Sequence, residues 1–131
     1  MVQKSISRKI IFIYNANSDK GSQLLDFAHK IMSPATYDCQ LCSLTFGKFT
    51  EDKKWKAFRK SLIDKGYAPS FLHKDEFKKS YKSKFEHAFT FPIILLETEY
   101  DLEVMVTTQQ LNDLDKVEEL IAVVEASVGS L

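Results

Sequence analysis

Glycine, proline, cysteine and long apolar runs are all scarce in this chain, and each shortage excludes a class of protein. Four glycines and three prolines among 131 residues leave no low-complexity segment and no flexible linker. No apolar stretch approaches the 18 or so residues that a membrane-spanning helix needs. The chain therefore fits one globular domain over residues 1–131, with 44% hydrophobic residues to form its core.

An excess of one charge is also missing. Eighteen basic residues balance eighteen acidic ones, so no net field attracts nucleic acid or an acidic membrane, and we expect neither as a partner. The basic N-terminus leads into Ile10–Tyr14, an apolar run shorter than the core of a signal peptide. A cytoplasmic location is therefore expected. In that compartment the two cysteines are expected as free thiols, a metal site or a redox pair.

The periodicity of apolar residues predicts an α/β protein. A β-branched run without alternation indicates a strand buried on both faces, and three- to four-residue spacing indicates amphipathic helices. Strands are predicted over residues 10–14, 70–73, 91–97 and 102–107, and helices over 22–32, 50–65, 75–88 and 113–127. Thr50 is the expected N-cap of the second helix, Gly66 its C-terminal stop, and Asn112 or Asp113 the cap of the last helix.

This order of elements resembles that of the thioredoxin-like superfamily once residues 33–66 are set aside as a helical insertion. Phe91-Pro92 stands before the third strand, where that superfamily carries a cis-proline beside its active site. The resemblance implies a three-layer sandwich with a central mixed sheet of about four strands. The stretch from Tyr14 to Gly47 is also similar to a group of small prokaryotic proteins, and that similarity implies no activity.

The cysteines depart from the superfamily pattern. In redox-active members the Cys-x-x-Cys pair follows the first strand directly, at the start of the first helix. Here that place is Asn15–Ser22, which has no cysteine, and Cys39-Gln40-Leu41-Cys42 comes about 25 residues after the strand. Only Pro92 matches the family by position.

Two functional hypotheses follow from where the loop of residues 33–49 lies. If it returns to the carboxyl ends of the strands, Cys39 and Cys42 come near His73 and Pro92 and exchange disulfides with a protein thiol. We then expect Cys39 to be the more exposed sulfur and to attack, and Cys42 to resolve the intermediate. This thiol chemistry requires no cofactor.

If the loop stays at the other edge, His29 becomes the neighbour of the two sulfurs. Cys39, Cys42 and His29 would then hold zinc, with a fourth ligand from water or another side chain and with Asp26 orienting the imidazole. The protein would be a non-enzymatic metal-binding or interaction module.

A third interpretation needs no chemistry. Cysteine is often buried as a small apolar residue, and Leu41, Leu44 and Phe46 are apolar neighbours of the pair. The last helix has a single apolar face, which the sheet uses, so we expect a monomer or a weak dimer. The sequence leaves the three interpretations, and whether the protein is an enzyme, open.

Overall fold

A four-stranded mixed sheet lies at the centre of the protein, which is represented by a computed structural model describing residues 8–15, 39–46, 51–85, 89–98 and 102–129. Its strands are β1 (Arg8–Tyr14), β2 (Tyr67–His73), β3 (Ile93–Glu97) and β4 (Leu102–Val106), in the spatial order β2-β1-β3-β4. β1 runs parallel to β2 and antiparallel to β3, and β3 runs antiparallel to β4. The predicted α/β class and the predicted hairpin are confirmed.

Helices cover both faces of this sheet. In the described part of the chain they are α1 (Gln40–Thr45), α2 (Lys53–Asp64), α3 (Lys74–Phe85), α4 (Thr108–Asn112) and α5 (Val117–Gly129). Alternate residues of β1 point to opposite faces, and the four residues from Ile10 to Ile13 are fully buried. Ile10 and Phe12 pack with residues of α1, α2, α4 and α5, whereas Ile11 and Ile13 pack with Phe77 of α3.

The second predicted helix is present with different ends. Asp52, rather than Thr50, is its N-cap, because Asp52 Oδ1 accepts hydrogen bonds from the backbone N–H groups of Lys54 and Trp55. Thr50 lies outside the described residues. The helix ends before Gly66, whose φ of 93° is one that a side chain disfavours.

The predicted helix over residues 113–127 is present as α5, which begins at Val117 and ends at Gly129. Neither predicted cap starts it, because Asn112 ends α4 and Asp113 is the C-cap of α4. Thr107 and Gln110 form a capping box that starts α4, a separate short helix that was not predicted. Before α5, Glu119 Oε1 accepts hydrogen bonds from the N–H groups of Asp115 and Lys116, which fixes a separate helix start.

Some expectations cannot be compared with the described residues. The predicted helix over 22–32 lies outside them, as does most of the predicted insertion before Cys39, although α1 and α2 both fall within residues 33–66. Among the described helices, none is both long and apolar enough to cross a membrane.

The strand register places several predicted residues at one edge of the sheet. Tyr14 at the end of β1 pairs with His73 at the end of β2, and Ile13 pairs with Ile93 at the start of β3. We call this edge, where β1 and β2 end, the carboxyl edge. Pro92 immediately precedes Ile93 and so lies at the same edge, and the Phe91–Pro92 peptide bond is cis.

Candidate functional site

The two cysteines form a disulfide within the hydrophobic core. The S–S distance is 2.02 Å and the Cα–Cα distance is 5.2 Å. Cys39 is 1% exposed and Cys42 is 8% exposed, so Cys42 is the more accessible residue. The expectation that Cys39 is the more exposed is therefore wrong. Both residues belong to the apolar cluster that contains Phe12 and Trp55.

Cys39 also starts α1. It is the N-cap of this helix, and its Sγ accepts a hydrogen bond of 3.2 Å from the backbone N–H of Cys42. Its carbonyl accepts the first helical hydrogen bond, from Ser43, at 3.0 Å. The Cys-x-x-Cys spacing thus places the second cysteine where its N–H reaches the first sulfur. One sequence feature produces both the disulfide and the helix start.

The other end of α1 is bound to the end of β1. The hydroxyl of the fully buried Thr45 donates to the carbonyl of Leu41 at 2.8 Å, so it receives the hydrogen bond from the Tyr14 hydroxyl at 3.4 Å. The carbonyl of Thr45 accepts from the N–H of Asp52 at 2.7 Å. These contacts place the C-terminal end of α1 at the carboxyl edge of the sheet.

The N-terminal end of α1, with the disulfide, contacts the connection between α4 and α5. The Gln40 side-chain amide donates to the carbonyl of Leu114, in the connection between α4 and α5. α1 also contacts both of these helices. α1 therefore extends from this connection, at its N-terminal end, to Tyr14 at its C-terminal end.

His73 lies at the carboxyl edge, at the end of β2. Its backbone N–H and its Nδ1 both contact Glu76 Oε1, at 2.7 and 2.8 Å, and its ring centroid is 6.1 Å from that of Tyr14. The backbone hydrogen bond and then the imidazole contact lower the pKa of Glu76. His73 therefore contacts Tyr14 and Glu76 in the structure. Its expected position beside the two cysteines stays a prediction.

Pro92 is buried immediately before β3. In the segment just before it, the Thr90 hydroxyl is 2.6 Å from the hydroxyl of Thr108, the first residue of α4. Because α4 in turn contacts α1, the segment before β3 and the disulfide-bearing helix share one neighbour. That Pro92 acts together with Cys39 and Cys42 stays a prediction.

The zinc hypothesis stays a prediction. His29 and Asp26 lie outside the described residues, and within the described ranges no group of three His, Cys, Asp or Glu side chains could hold a metal ion. Zinc needs deprotonated thiols as ligands, and a disulfide has none to offer. A zinc site would therefore require the reduced form of the pair.

Sequence reasoning missed the polar group around Tyr14. Arg59 donates two hydrogen bonds to the Glu51 carboxylate, at 2.6 and 2.8 Å, which raises the pKa of Arg59. Burial disfavours the phenolate and raises the pKa of Tyr14 to about 12, although the hydrogen bond with Thr45 acts in the other direction. The only sign of this group in the local sequence was the tyrosine at the end of an apolar strand.

Comparisons with known proteins add no assignment. The chain matches no family model, no curated protein and no solved structure. The functional interpretation therefore depends on the geometry of the disulfide and its surroundings.

Proposed function

We propose that this protein is a thioredoxin-like thiol–disulfide exchange protein. In this proposal Cys39 and Cys42 alternate between a disulfide and a dithiol, and the partner is a protein dithiol. The observation that carries the proposal is the Cys39–Cys42 disulfide at the N-terminal end of α1, the helix whose C-terminal end contacts Tyr14 at the carboxyl edge of the sheet.

The sheet supports the thioredoxin-like part of the proposal. The order β2-β1-β3-β4, with β1 and β2 parallel and β3 and β4 antiparallel, agrees with the element order on which the resemblance rests. α1 is the first described helix after β1, and Cys39 caps it. The cysteine pair therefore lies at the start of a helix that follows β1, although many residues separate it from the strand in sequence.

The small size of the disulfide loop supports a chemical role over a stabilising one. The bond joins residues only three apart. Loop-closure entropy for so short a loop is worth about 2 kcal/mol, less than for the long loops that structural disulfides close. The fold already has two apolar clusters of its own. In the cytoplasm, the location that we expect, disulfides are usually transient.

Exchange would begin at the more exposed cysteine. A partner thiolate attacks Cys42 Sγ, a mixed disulfide forms, and Cys39 leaves as a thiolate that retains the hydrogen bond from the Cys42 N–H. The second thiol of the partner then attacks the partner sulfur of the mixed disulfide and releases Cys42. Two electrons and two protons pass from the partner dithiol, which becomes a disulfide, to this protein. The reverse sequence oxidises it again.

The test uses a thioredoxin with its reductase and NADPH as the electron source. We expect the oxidised protein to consume about one NADPH per molecule, with an unchanged far-ultraviolet circular dichroism spectrum. A variant with both Cys39→Ser and Cys42→Ser is the matched control and should consume none. If the disulfide is reduced only in denaturant, the proposal is wrong.

The burial of the two sulfurs supports a second candidate, a permanent bridge that fixes the start of α1. With Cys39 only 1% exposed, attack by a partner requires at least Cys42 to become more accessible than its 8%. The same experiment separates the candidates, since a permanent bridge resists the thioredoxin system in the folded protein and a cycling one does not.

A further inference from the structure

The helix that carries the disulfide is held at both ends, by different means. Its N-terminal end has the Cys39–Cys42 bond and the Cys39 cap, and its C-terminal end has the Tyr14 hydroxyl on Thr45. We infer that Tyr14 is a positioning residue that holds α1 so that the two cysteines of the dithiol stay ready to close. This inference rests on the proposed exchange function.

α1 needs such contacts because it is short. Helices below about 12–15 residues are marginal on their own, and α1 has six residues. Its order therefore depends on contacts outside the helix. Reduction removes the covalent bond between its cap and its first turn, and the order of α1 then depends more on the contact between Tyr14 and Thr45.

The disulfide and the Tyr14 contact are thus thermodynamically coupled through one element. Each favours the ordered form of α1. Loss of one therefore lowers the equilibrium constant for forming the other, and the factor is the same in both directions. Without the Tyr14 hydroxyl, α1 loosens in the dithiol form and the effective concentration of one thiol at the other falls. The balance between disulfide and dithiol then moves toward the dithiol.

The surroundings of Tyr14 suit a fixed structural contact. Thr45 is fully buried and its own proton is committed to Leu41, which leaves its oxygen as acceptor for Tyr14. With a pKa of about 12, Tyr14 keeps its proton throughout the neutral range and remains a donor. The ring of His73 packs beside it, with 6.1 Å between the centroids.

Tyr81 offers a matched control on the other face of the sheet. Its hydroxyl donates to Glu97 Oε1 at 2.7 Å, its ring contacts Phe77, and its pKa is also raised to about 12. Tyr81→Phe therefore removes a tyrosine hydroxyl with a shorter hydrogen bond to a carboxylate, but from the apolar cluster that does not contain the disulfide.

The experiment measures the equilibrium of the folded protein with mixtures of reduced and oxidised glutathione, by acid quenching and alkylation. For Tyr14→Phe and Thr45→Val we expect a shift toward the dithiol of roughly threefold to tenfold, the size that one hydrogen bond supports. Thr45→Ser keeps the hydroxyl and should retain the wild-type equilibrium. Tyr81→Phe should also retain it, even if it lowers the melting temperature.

Each outcome decides between the proposals. A wild-type equilibrium in Tyr14→Phe, or an equal shift in Tyr81→Phe, overturns the positioning role and leaves the exchange function intact. Failure of glutathione to reduce the wild-type protein in its native state overturns both. If Tyr14→Phe does not fold, the comparison of Thr45→Val with Thr45→Ser decides the inference, because indistinguishable equilibria in these two variants overturn it.

Discussion

Reduction of the Cys39–Cys42 disulfide should weaken the fold by a small and calculable amount. The bond closes a loop between residues three apart, and the loop-entropy relation gives about 2 kcal/mol for a ring of this size. A domain of this length has an unfolding free energy of about 5–15 kcal/mol. The reduced protein should therefore remain folded.

The assay is urea denaturation of the oxidised and the phosphine-reduced protein at the same pH. Trp55 is the single tryptophan and is fully buried, so its fluorescence reports loss of the core. The midpoints should differ by the equivalent of about 2 kcal/mol. The Cys39→Ser and Cys42→Ser double variant should show no difference between the two conditions.

Two results would refute this reasoning. Unfolding of the protein on reduction alone would mean that the bond is a structural requirement, and that its short loop is a poor guide to its contribution. Unfolding curves that coincide in the two conditions would mean that reduction removes no constraint from the chain.

Three further predictions concern single groups. The Cys39→Ser variant keeps Cys42, the more exposed cysteine, and should react with an aromatic disulfide reagent faster than the Cys42→Ser variant. Equal reaction rates would contradict our assignment of Cys42 as the attacked residue. Because the folded pKa of Tyr14 is about 12, against 10.0 ordinarily, its contribution to stability is complete below pH 10 and is lost between pH 10 and 12. Ultraviolet titration of wild type and Tyr14→Phe checks this, and a phenol that titrates near pH 10 contradicts it. The lowered pKa of Glu76, due to His73, means that its contribution is present above the ordinary value of about 4.3 and is lost as the pH falls through the folded value. Glu76→Gln should therefore weaken the loss of stability at acid pH. The free energy of unfolding should change by less than about 1 kcal/mol, because this site is exposed.

The strands could be predicted because their patterns are local. Ile10–Tyr14 reads as a strand buried on both faces, and its alternate residues do enter opposite apolar clusters. The hairpin of β3 and β4 followed from two apolar runs with a short connection. In these segments the spacing of apolar residues along the sequence matches the faces that are buried in the sheet.

The cysteine pair was predicted from its spacing, but the helix that carries it could not be, because the signals for that helix are short or distant. α1 has six residues, too few for a helical period, and its cap is a cysteine, which is not among the usual capping residues. The contact that fixes its other end joins Tyr14 to Thr45 across 31 positions. No local pattern indicates such a pair. The capping box that begins at Thr107 was a readable signal that our assignment of the last helix overlooked.

The most direct test of the account counts free thiols through repeated reduction and reoxidation of the native protein, with circular dichroism recorded at each step. The account predicts that both thiols appear on reduction, disappear on reoxidation and reappear in the next cycle, while the spectrum stays constant. Thiols that become reactive only after the chain is unfolded would contradict it.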